Sequence, residues 1–119
     1  PVRNYGIDKN EAVKVVQAYY RETANRKFGA AYDRLSSQAR SMWSSYDAWK
    51  KGFDETVRSD AYINSVDVIN NDIVVVHFDL HCRDYVNGRY LDQVFRGKWD
   101  VIKENGRLVM YNPEIRKIR

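Results

Sequence analysis

Four side chains at alternate positions, His77, Asp79, His81 and Arg83, are the first in this sequence that invite chemistry. Imidazoles and a carboxylate are metal ligands, and the same groups serve as acid and base in proton transfer. On an extended strand, residues two apart lie ~6.6 Å from each other, so His77 with Asp79, or Asp79 with His81, could share an ion. His77 and His81 stand ~13 Å apart, beyond the span of one ion unless a bulge intervenes. Val74, Val76, Phe78, Leu80 and Cys82 fill the opposite phase. The polar set therefore reads as the outer face of an antiparallel sheet, with Arg96 and Lys98 in the outward phase of the neighbouring strand. No metal site is expected.

Tyr19, Tyr20, Tyr32, Trp49, Phe53, Gln93 and Trp99 form the second group. They are candidates for lining a ligand-binding pocket for a small apolar molecule, against the plainer reading that they are packed core. Gln93 is the informative one, because it sits in an apolar phase between Leu91 and Phe95. A buried amide must find partners among tyrosine hydroxyls, backbone, water or a ligand. Ser36, Ser37 and Ser41 have no identifiable histidine partner, so a nucleophile triad finds no support. No glycine-rich phosphate loop is present, and no cofactor is expected.

The elements that position these residues change period halfway along the chain. Asp8-Lys9-Asn10-Glu11 has the form of a capping box. Val13, Val16, Tyr20 and Ala24 then recur at helical spacing over about five turns. A short second helix is expected from Phe28 to about Leu35, with Ser36-Ser37 as a turn or new cap. A third helix begins at Ser44 or Ser45, and Trp49 and Phe53 share its inner face. From Ala61 the period becomes two. Residues 61–69 are the least regular and carry a candidate bulge. Ile73 to Val86 and residues 90–103 alternate clearly, joined by Asn87-Gly88, with Asn105-Gly106 before a last strand. The class is α+β: N-terminal helices packed on a strongly curved antiparallel sheet, in one domain spanning residues 1–119. Gly97, between Phe95 and Trp99, is where that sheet bends, since a side chain there would crowd the concave side.

The helix carrying Tyr19-Tyr20, the segment Ala30 to Ser36 and the hairpin from Phe95-Arg96-Gly97-Lys98-Trp99 through Asn105-Gly106 to Leu108 resemble the nuclear transport factor 2-like superfamily. The resemblance runs from about Asp8 to Ile118. It departs at Leu108, where such proteins often place tryptophan. It implies a cone of helices over a bent sheet, the cystatin-like arrangement, with a pocket between them. Enzymes of this superfamily, ketosteroid isomerase and scytalone dehydratase among them, use inward carboxylates, tyrosines and histidines. Such chemistry needs a base in the cavity facing a donor. The apolar phases of residues 74–82 and 91–101 hold no Asp, Glu or His. Asp33, with Tyr20 as donor, is the one candidate pair.

The preferred reading is a non-catalytic accessory or small-ligand-binding domain, the soluble part of an exported or membrane-anchored bacterial protein. An isomerase- or dehydratase-type enzyme and a structural interaction domain are the alternatives. The opening Pro1-Val2-Arg3 lacks a methionine and reads as a mature or excised start. The 119 residues carry a net charge of +4 that is dispersed except at Arg116, Lys117 and Arg119, a distribution unlike a nucleic-acid footprint. No apolar run is long enough to span a bilayer. Val75, Tyr85, Tyr90, Val94, Val109 and Tyr111 make the outer sheet face more apolar than a solvated face, so a homodimer is expected there.

Overall fold

The computed structural model describes residues 6–119, and Pro1-Val2-Arg3 lies outside them. Four helices come first: α1 (Lys9–Ala24), α2 (Phe28–Tyr32), α3 (Ser37–Arg40) and α4 (Tyr46–Lys51). Four strands follow: β1 (Thr56–Asn70), β2 (Ile73–Val86), β3 (Arg89–Glu104) and β4 (Arg107–Lys117). They form one antiparallel meander in the order β1-β2-β3-β4. The fold is α+β, with the helices against one face of a curved sheet.

Local signals start the helices where the sequence places them. The Asp8 carboxylate accepts from the backbone amides of Asn10 and Glu11 and opens α1. Ser36 and Ser45 each accept from the amide three residues on, capping α3 and α4. The expected second helix is shorter than its spacing suggests. It ends at Tyr32, because residues 34–36 leave it to bond with Met110 of β4. Leu35 is thereby buried at the sheet edge in a parallel bridge rather than on a helix.

β1 begins five residues earlier than expected and carries three register shifts, one of them between Ile63 and Ser65. β2 alternates as read, burying Val74, Val76, Phe78 and Leu80 beneath α1. Its hairpin to β3 turns on Asn87 and Gly88, both at positive φ. Positive φ at both central residues matches the twist of the flanking strands.

The outer face is a set of cross-strand charge pairs. Arg96 donates two hydrogen bonds to Asp79, at 2.8 and 3.0 Å, and Asn64 a third. These hydrogen bonds, that from Arg96 foremost, hold the Asp79 carboxyl down to about 2. His77 meets Asp67 at 3.0 Å, Arg83 forks onto Asp92, and the His81 ring lies edge-on to Tyr62. Among the described residues no three His, Cys, Asp or Glu side chains are grouped to hold a metal. No described helix is long and apolar enough to cross a membrane.

Of the apolar residues expected to make a docking face, Val94 and Val109 are buried within the chain, while Tyr85 and Tyr90 meet edge to face at the exposed hairpin end. Val94 is covered because the chain end returns to it through the Ile118 amide.

Gly97 lies where β4 folds over β3. A Cβ there would meet the Glu114 carbonyl oxygen, and would stand 2.8 Å from Ile115 Cγ1 and 3.0 Å from its Cα. The crowding comes from the backbone of the neighbouring strand, which cannot rotate away. Gly97→Ala is therefore expected to destabilise the fold by about 1–3 kcal/mol. A urea melt reads this as a lower midpoint, and an unchanged midpoint would contradict it.

Candidate functional site

Tyr19 and Tyr20 are adjacent on α1, and both are almost wholly buried. Their rings meet edge to face at 4.9 Å, an arrangement favoured by aromatic quadrupoles. The Tyr19 hydroxyl accepts from the Trp49 indole at 3.0 Å, and the Tyr20 hydroxyl from the Trp99 indole at 2.8 Å. Burial pushes both phenols well above their ordinary range, so they stay protonated. Each oxygen thus accepts a hydrogen bond from an indole N–H and still carries its own hydrogen.

A cavity of about 430 Å³ opens between this helix and the sheet. Tyr19 and Tyr20 form its helical wall; Leu80, Cys82, Asp84, Phe95 and Trp99 form its sheet wall. Met42, Trp43 and Phe53 close one side, and Thr56, Ser59, Pro113 and Ile115 complete the lining. The walls are mainly aromatic and aliphatic with a few polar groups, as in small-molecule sites generally. A second depression, of about 460 Å³, lies on the outer face, where Arg58 with Asp60 and Arg83 with Asp92 are already paired.

The carboxylate of this cavity is Asp84. It continues the inward phase of β2 one step beyond Cys82, opposite Thr56 on β1 and Leu91 on β3. Its Oδ2 accepts from Gln93 Nε2 at 3.2 Å. Its Oδ1 is buried and has no hydrogen-bond partner among the described residues. An unpartnered buried carboxylate oxygen is costly, and its presence needs a reason. Cys82, the preceding inward residue, lies 3.7 Å from Ser59 Oγ. Burial raises the Cys82 thiol, and the charge of Asp84 adds to that rise.

Of the residues expected from sequence, Tyr19, Tyr20, Phe53 and Trp99 line the cavity. Trp49 does not. It is the buried hub of an aromatic cluster with Phe28, Tyr32, Tyr46 and Phe53. Tyr32 is half-buried, with the Arg40 guanidinium over its ring. Gln93 spends its amide on Asp84, so it orients the cavity's carboxylate from behind.

Asp33 is not a cavity residue. It follows the last residue of α2, its side chain is 64% exposed, and its carboxylate faces Arg40 at 3.6 Å. The expected pairing of Asp33 with Tyr20 is therefore not formed. Asp84 is the carboxylate that shares a cavity with the tyrosines. The signal that finds it is parity alone: 74, 76, 78, 80, 82 and 84 share one face.

No protein family profile and no curated protein matches this sequence. Solved structures do. Aln2 from a Streptomyces species superposes with a TM-score of 0.66 at 12% identity, over 90% of this chain and 88% of that one. A putative scytalone dehydratase from Novosphingobium aromaticivorans gives 0.66 at 12% identity, over 92% and 83%. A further protein from Novosphingobium aromaticivorans, described as NTF2-like with a cystatin-like fold, gives 0.63 at 9% identity, over 90% and 80%. At these identities the likeness is one of fold. The chain has the nuclear transport factor 2-like, cystatin-like fold.

Proposed function

We propose that this chain binds a small, largely apolar molecule in the cavity between α1 and the sheet. The observation that carries the reading is the wall itself. About 430 Å³ of space is lined by aromatic and aliphatic side chains, and Asp84 stands among them with one oxygen unpartnered. A cavity that served only packing would be filled or lined without a carboxylate.

A second reading is favoured by one combination. Asp84, Tyr19 and Tyr20 line the same cavity, and both tyrosines keep their phenol protons. A carboxylate base and phenol donors are the groups needed to move a proton on an enolisable or hydroxylated substrate. One of the similar structures is described as a putative scytalone dehydratase. In this reading Asp84 takes or returns the proton, and a tyrosine hydroxyl steadies the oxygen on which charge develops.

The binding reading is tested with 2-naphthol, an apolar probe with a single hydroxyl. Titration calorimetry should give saturable one-to-one binding, weakened about tenfold by Ile115→Trp, which adds an indole at the rim. No saturable heat in the wild-type protein would overturn the reading. The charge of Asp84 has its own reporter in Cys82. Iodoacetamide should modify this thiol slowly at neutral pH, because its raised pKa keeps the thiolate scarce, and faster as pH rises. Asp84→Asn should speed the reaction a few-fold at fixed pH by removing the negative charge. Equal rates would show that the carboxylate's charge does not reach the thiol.

A further inference from the structure

We infer that the molecule held in the cavity carries a positively charged nitrogen, an ammonium or iminium on an apolar, ring-sized body. This rests on the binding reading above and adds the ligand's charge to it.

The first observation is how this chain treats its other shielded carboxylates. Glu22 has Arg34, Asp79 has Arg96, and Asp100 has Lys98. Glu104 accepts from the Ser37 amide and hydroxyl at the start of α3. Asp84 receives one neutral amide from Gln93, and no described lysine, arginine or histidine lines its cavity. Among the described residues the cavity wall therefore holds one full charge, and it is negative. Asp84 is among the residues that line the cavity, so a compensating group can approach its side chain from there.

The walls suit a cation in a second way. Tyr19, Trp43, Phe53, Phe95 and Trp99 are among the residues that line the space. Ring faces attract cations, and most strongly where water is scarce. An ammonium also has more than one proton to place. Thr56 is paired in register with Asp84 on the neighbouring strand, and its side chain borders the same space. Carboxylate and hydroxyl together can receive two N–H groups, and the apolar body is left to the rings. An anionic ligand would meet like charge here. A neutral one would leave the carboxylate as the structure has it, uncompensated.

Three indole compounds of nearly the same size separate these cases: tryptamine, tryptophol and indole-3-acetate, carrying positive, zero and negative charge at neutral pH. Titrated into the 119-residue protein in a calorimeter, tryptamine should bind at least about tenfold tighter than tryptophol, with indole-3-acetate weakest. Asp84→Asn should bring tryptamine and tryptophol to within about twofold of each other, chiefly by weakening the amine. Thermal melting checks that this variant is folded, and the wild-type ranking stands without it. Equal binding of amine and alcohol, tightest binding of the acid, or a preference that survives Asp84→Asn would overturn the inference. If tryptophol binds and the amine has no advantage, only the ligand's charge is refuted. If none of the three binds, the cavity-binding reading falls with it.

Discussion

The hydrogen bond from the Trp99 indole to the Tyr20 hydroxyl joins residues 79 apart in sequence and fixes the height of α1 above the sheet. Its twin, from Trp49 to Tyr19, ties the same helix to α4. Net of the water each group gives up, such a bond stabilises by about 1 kcal/mol, but leaving a buried indole or phenol unpaired costs about 1–3 kcal/mol. That asymmetry leaves few other heights at which the helix can sit. At this height Val16, Phe78 and Val76 join the buried core, and a cavity remains between α1 and the sheet.

The sheet meets the same constraint from below. Gly97 lets β4 come close to β3, and the register shift between Lys98 and Asp100 follows at once. Asn112, at positive φ, completes the irregularity, with its carbonyl accepting from Lys98. Pro113 and Ile115 thereby reach the cavity rim. Curvature of the sheet and access to the cavity are one feature, produced by a missing side chain and a bulge.

Much of this was legible in the residues. Alternation over 73–86 and 90–103 identified the central strands, and the two Asn-Gly turns identified their connections. Boundaries were lost where tertiary contacts outweighed local preference. Leu35 left the helical pattern because the edge of β4 offered Met110's backbone groups. β1 began early because Thr56 and Ser59 are polar residues on an inward face, which hides the period. The cavity lining was legible in part: Tyr19, Tyr20, Phe53 and Trp99 line it, whereas Asp33 lies outside it and Asp84 borders it. Asp84 was passed over because an acid ends an apolar phase to the eye, whereas on a strand parity continues through it. Spacing alone could not separate Trp49 from Trp99 either. Both face inward, and only packing decides which of them borders a void.

The central claim is that Asp84, held from behind by Gln93, is the carboxylate that a bound molecule meets. Carbon-13 spectra of the aspartate side-chain carboxyls, followed during a titration with 2-naphthol, address it directly. Binding at Asp84 is expected to move its resonance saturably with ligand while that of Asp33 stays where it was. A stationary Asp84 beside a moving Asp33 would contradict it and return the site to the helical surface.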